Sequence, residues 1–151
     1  MLFRSAALFE TKSGLIASYL HHNQKIGILV DLAFSKSDLS KNEEIIKLGR
    51  DIAMQAAALR PQFLRPEDIK GDFLEREKAI FRDQVKDKPA NVQDKIIEGK
   101  LAKRYEEICL LNQKSVIDNS KSITQIVAEL GKKLGDNITV KRFVRFEIGV
   151  E

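Results

Sequence analysis

Apolar residues open the readable pattern in two short runs. Leu15–Leu20 is apolar and β-compatible, the polar His21-His22-Asn23-Gln24 interrupts it, and Ile26, Ile28, Val30, Leu32 and Phe34 then recur at every second position. A period of two puts those five side chains on one face, so the pattern predicts a hairpin with one buried side. Asn23 tolerates left-handed backbone angles and suits the turn. From Ile45 the period changes. Ile45, Leu48/Gly49, Ile52, Ala56 and Leu59 recur at helical spacing, with Glu43, Glu44, Lys47, Arg50 and Asp51 opposite them. Asp38 or Ser40 is placed to cap this helix, and the glutamates complement the positive end of its dipole. Arg60-Pro61 stops it, because the residue before proline is pushed out of the helical region.

Pro61 to Gly71 reads as a connector with a short helical turn at Pro66-Glu67-Asp68. Two helical patterns follow, separated by Lys88-Pro89. The first runs from Phe73 to about Val85, with either Phe73, Ile80/Phe81 and Gln84 or Leu74, Phe81 and Val85 inward. The second runs from about Val92 to Leu111, with a stripe of Val92, Ile96/Ile97, Leu101, Tyr105, Ile108 and Leu111. Ser115 to Lys121 is a polar loop. Ser122 with Gln125 three residues on makes a capping box for a last helix, whose stripe is Ile123, Ile126/Val127, Leu130 and Leu134. Gly135 supplies its left-handed stop. The closing run from Ile138 to Ile148 alternates, with Val140, Val144 and Phe146 on one side and Thr139, Lys141 and Glu147 on the other. Arg142 and Phe143 fall on the unexpected sides.

These elements define an α+β fold. Its sheet has three antiparallel strands, the N-terminal hairpin plus the C-terminal strand, and helices cover one face. Residues 1–151 form one domain. Leu29 and Phe143 lie opposite the main apolar set, so the second face also wants cover, and a second copy of the same sheet is the simplest candidate. The expectation is a homodimer through the sheet.

Charge alters this picture little. The chain has 26 Lys+Arg against 22 Asp+Glu, a net charge of +4. The surplus is spread, with three basic and two acidic residues in 1–34, seventeen and fifteen in 35–114, and six and five in 115–151. Interleaved signs of this kind belong to solvated helix faces, not to a stripe that tracks phosphates, so no specific nucleic-acid partner is expected. The stretch Met1 to Phe9 is apolar, yet Glu10 follows and no cleavage site appears. No apolar run approaches the roughly 20 residues of a membrane helix. The expectation is a cytoplasmic protein without a membrane partner.

Candidate chemistry is thin. Cys109 is the single cysteine and excludes a disulfide framework; His21 and His22 are the only histidines, and no carboxylates stand at metal-ligand spacing beside them. The eight glycines form no phosphate-cradling loop, and no G-x-S-x-G elbow exists. Cys109 sits within an apolar segment and reads as a small buried hydrophobe, and His21-His22 reads as a surface turn. Glu43-Glu44, Glu75/Glu77 and Glu106-Glu107 read as helix-face acids. No catalytic residue, metal or cofactor is expected.

Several segments, in order, resemble the bacterial elongation factor Ts family. They are Gly14-Leu15-Ile16 through Tyr19-Leu20-His21-His22-Asn23-Gln24-Lys25-Ile26-Gly27-Ile28-Leu29-Val30, then Asn42-Glu43-Glu44 and Asp51-Ile52-Ala53-Met54. They continue in Glu98-Gly99-Lys100-Leu101, Tyr105-Glu106-Glu107 and Leu110-Leu111-Asn112-Gln113, and close on Val140-Lys141-Arg142-Phe143-Val144-Arg145-Phe146-Glu147-Ile148-Gly149. The resemblance is to the short form of the family, without its coiled-coil insertion, and to its dimerisation core. It implies a protein that binds elongation factor Tu and promotes GDP release, a nucleotide-exchange factor rather than an enzyme. Two departures accompany it. The family opens with a small ubiquitin-associated-like helical module, and Met1 stands about where that module ends. The family also carries Thr-Asp-Phe-Val after the hairpin, whose aromatic ring wedges into the partner. Aligned without a gap, the matching residues are Lys36, Ser37, Asp38 and Leu39, with Asp38 at the wedge. A one-residue shift offers Leu39 instead, and Phe34 is expected in the sheet. Two readings follow from the resemblance: an exchange factor, or a divergent dimerisation and partner-binding module that has lost exchange.

Overall fold

A computed structural model describes residues 7–149; the opening residues of the Met1–Phe9 stretch lie outside it. The hairpin forms as expected. Strands β1 (Gly14–Leu20) and β2 (Ile26–Ala33) pair antiparallel, and β3 (Thr139–Glu147) pairs antiparallel with β2, giving the order β1-β2-β3. At the turn the left-handed residue is Gln24 (φ 56°), not Asn23. The Asn23 side chain instead accepts from the Lys25 amide at 2.9 Å, an Asx-type bond that leaves the unusual angle to its neighbour.

Helix α1 (Glu43–Leu59) lies against the inner sheet face through Ile45, Leu48, Ile52, Ala53 and Ala56. Gly49 is the point of closest approach: a Cβ there would sit 2.7 Å from the Ala17 Cβ. Leu59, expected in the stripe, is 46% exposed, while Ala56 and Ala57 of the same turn stay buried. The cap is also corrected. Asn42 accepts from the Glu44 and Ile45 amides, whereas Asp38 and Ser40 belong to a 3-10 turn, Ser37–Lys41, that ends just before it. Arg60 closes α1 in the left-handed region (φ 49°).

Helices α2 (Gly71–Gln84) and α3 (Ala90–Ile108) pack on each other as a second hairpin. Leu74, Phe81 and Val85 face Ile97 and Leu101; Ile80, Gln84 and Val92 point to solvent. The α3 pattern was expected to run to Leu111, but the helix stops at Ile108. There the backbone changes partners: Leu110 and Leu111 donate to the Phe63 and Leu64 carbonyls, and the Gln62 and Phe63 amides donate to Ile108. Cys109 is wholly buried at this junction. Helix α4 (Ile123–Leu134) has the capping box of Ser122 and Gln125 and the left-handed Gly135 (φ 65°) that its sequence demands.

Strand β3 corrects the expected alternation. Leu32 pairs with Val140 but Asp31 with Arg142, so a bulge at Lys141 inserts one unpaired residue. The extra residue turns Phe143 to the inner face beside Val30 and Ala17, where it packs on the core. It likewise sends Val144 and Phe146 to the outer face, opposite Leu29 and Gly27. The second face therefore carries Leu29, Val144 and Phe146, and not Phe143.

Candidate functional site

The segment after β2 is anchored at both ends by apolar burial. Phe34 and Leu39 are each about one-twentieth exposed and belong to the main core, while Ser35, Lys36, Ser37 and Asp38 between them are exposed. Five consecutive peptide steps between two buried anchors leave a short arch with little freedom. Of the four residues that the resemblance sets against the wedge motif, Lys36, Ser37 and Asp38 thus stand together on the surface. The Leu39 side chain is held inside.

The arch is fastened by a residue a hundred positions away. Asp136 accepts from the Ser35 amide at 2.9 Å, the Ser35 hydroxyl at 2.6 Å and the Lys36 amide at 2.8 Å, and from the Asn137 amide at 2.7 Å. The Ser35 hydroxyl, then the Lys36 and neighbouring amides, stabilise the carboxylate and lower its pKa to about 2. Lys36 Nζ donates to the Leu134 carbonyl at 3.0 Å, at the negative end of the α4 dipole. Asp136 escaped the sequence reading, although an acid directly after a helix-ending glycine is a turn residue with its carboxylate free to reach outward.

The outer sheet face lies on the other side of β2. Leu29, Val144 and Phe146 are half-buried there, and Leu20 and Ile148 are 64% and 66% exposed. Asp31, also on this face, is 1% exposed and pairs with Arg142 at 3.1 Å. The chain before β1 crosses here: the Arg142 guanidinium stacks on the Phe9 ring at 4.2 Å.

Reactive groups are not assembled. No cluster of three or more His, Cys, Asp or Glu side chains could hold a metal ion among the described residues. Burial, aided by Glu67 and Asp68, pushes the Cys109 thiol up to about 11, so it is protonated at neutral pH. The His21 and His22 rings lie with centroids 4.1 Å apart and planes tilted by 51°, and His21 Nδ1 meets the Tyr19 hydroxyl at 3.1 Å. A shallow groove between α1 and α4 has an apolar floor that includes Leu48 and Leu130. Its rim charges are already matched, Lys133 to Glu44 and Lys47 to Asp51 at 2.6 Å. No described helix is long and apolar enough to cross a membrane.

What the fold presents is a sheet-and-helix core with a pinned surface arch and an apolar outer sheet face, the make-up of a protein that works by docking. A family model described as "Elongation factor TS" matches residues 1–150, and the chain belongs to the elongation factor Ts family of translation factors. It is 46% identical over 142 residues to an elongation factor Ts from Thermosipho melanesiensis, covering 93% of this chain and 72% of the relative. Elongation factor Ts from Thermotoga petrophila is 41% identical over 139 residues, covering 92% and 70%. The one from Koribacter versatilis is 45% identical over 141 residues, covering 92% and 64%.

Proposed function

We propose that this chain, as a single core domain, binds elongation factor Tu in the cytoplasm and accelerates its release of GDP. We further propose that Lys36, Ser37 and Asp38 lie on the partner-facing surface, and that the outer sheet face pairs with a second copy. The observation that carries the reading is the family match across residues 1–150. The pinned arch at the family's wedge position supports its placement. Such a factor does no covalent chemistry. It binds the nucleotide-free partner more tightly than the nucleotide-bound one, and that difference in affinity weakens nucleotide binding by the same factor. On the ungapped reading of the resemblance, Asp38 brings a carboxylate where the family has an aromatic ring. A carboxylate acts on a polar or cationic group of the partner, and not by filling an apolar cleft.

Stopped-flow release of a fluorescent GDP from elongation factor Tu tests the reading. Acceleration that saturates with increasing factor is expected. Release at the spontaneous rate, with binding retained, would leave a docking module without exchange; absence of binding would refute the reading.

A further inference from the structure

We infer that Asp136 is a positioning residue that holds the Lys36–Asp38 arch in its partner-binding shape, an inference that rests on the reading just proposed. The local sequence explains why the carboxylate is there. Gly135 takes the left-handed angle that ends α4, and the Asp136 amide closes the turn on the Gly131 carbonyl at 3.0 Å. A Cβ at Gly131 would meet the Asp136 carbonyl oxygen at 2.8 Å, so the reversal is this tight only because residue 131 has no side chain. The turn aims Asp136 at the segment after β2, where it accepts from Ser35 twice and from Lys36 once. Bonds from donors to an ionised acceptor are about twice as strong as neutral ones. Three of them on one short arch set the direction in which Ser37 and Asp38 leave the core. Lys36 adds a fourth tie through the Leu134 carbonyl, so its ammonium is engaged within the chain. The two ends of the device come from opposite ends of the sequence, which makes the arch an extension of the α4–β3 turn.

The consequence is for affinity. An arch that is already ordered loses less freedom on docking, and removing its tether costs affinity more than it changes the bound state. Asp136→Asn keeps the shape and one acceptor oxygen but removes the charge. With the full chain and elongation factor Tu, the concentration giving half-maximal GDP release is expected to rise about tenfold while the saturating rate changes less than about twofold. In the free protein, hydrogen exchange at the Ser35 and Lys36 amides is expected to quicken by about tenfold or more, with α1 and β2 amides unchanged. Asp136→Glu tests whether the charge alone suffices; it is expected to restore only part of the affinity, since the longer side chain misplaces the oxygens. A variant whose arch amides exchange faster but whose half-maximal concentration is unchanged would overturn the inference and leave the functional reading intact. An unchanged exchange rate at those amides would overturn it as well. If the wild-type chain neither binds nor accelerates release, the functional reading falls and carries the inference with it.

Discussion

Gly49 sits where α1 crosses β1, and an added Cβ would lie 2.7 Å from Ala17 Cβ and 3.3 Å from Leu32 Cδ1. Alanine is the better helix former by about 1 kcal/mol, yet overpacking costs about 1–3 kcal/mol. Gly49→Ala is therefore expected to lower the urea midpoint; an unchanged or higher midpoint would mean that the helix shifts at no cost. Gln55 poses the opposite problem, a polar side chain that must stay. It is 1% exposed, donates to the Lys114 carbonyl at 2.9 Å and to Gln113 Oε1 at 3.3 Å, and accepts from the Val116 amide at 2.9 Å. Gln55→Leu keeps the volume but strands those groups, at about 2–4 kcal/mol. Asp136 makes stability depend on acid. Its carboxyl titrates near 3.8 without its donors and at about 2 in the fold, so the folded state binds fewer protons than the unfolded one. The stabilisation is present above about pH 4 and is lost as pH falls toward 2. Urea titrations from pH 2 to 6 should show a shallower acid limb for Asp136→Asn; identical limbs would show that other carboxylates dominate.

Among the elements, the α2–α3 hairpin is the least secured. No α2 side chain is fully buried, and the seam rests on Phe81, Val85, Ile97 and Leu101 with Arg104 bridging Glu77 at 2.9 Å and Glu107 at 2.8 Å. Mid-helix amides of α2 are expected to exchange well before those of α1 and β2, through local opening; equal protection would tie the hairpin to the global unit. Elements whose signals are local were legible in the chain. Ser122 and Gln125 cap α4 within four residues, and the alternation of Ile28, Val30 and Leu32 needs only its own period. What depended on distant backbone was not. The end of α3 is set by Phe63 and Leu64 reaching the strand-like Cys109 region, and no property of Cys109–Leu111 forbids another helical turn. The bulge at Lys141 is a property of the pairing with β2, so Arg142 and Phe143 registered only as exceptions to a period. The sequence does not single out Asn42 as the cap, because Asp38 and Ser40 are equally good cap residues, and their 3-10 turn is fixed by Leu39 entering the core. At the candidate site Lys36–Leu39 are singled out by the resemblance alone, and the spacing of 101 residues between Ser35 and Asp136 lies beyond any local pattern.

At the scale of the whole molecule the two sheet faces are unequal. The inner face has α1 over it, with α4 packed beside α1 in the same core, and is completed by Phe143, while the outer face has the crossing segment near Phe9 and, beyond it, Leu29, Val144, Phe146 and the exposed Leu20 and Ile148. Each of these side chains left in water forgoes about 25 cal/mol for every Å² of apolar surface that a second sheet would cover. A two-fold pairing would set the patch against its own copy and require it to be self-complementary, with the Asp31–Arg142 ion pair, whose arginine is 46% exposed, beside it. If this face is the dimer contact, light scattering should give about twice the 17.1 kDa chain mass at micromolar concentration. Phe146→Glu should return a monomer with unchanged circular dichroism, because its neighbour across the strand is Gly27 and no core side chain rests on it. The matching change on the inner face, Phe143→Glu, buries a charge against Val30 and should unfold the chain instead. A wild-type chain that stays at 17.1 kDa, or a Phe146→Glu variant that stays dimeric, would show that a different surface or none pairs the copies.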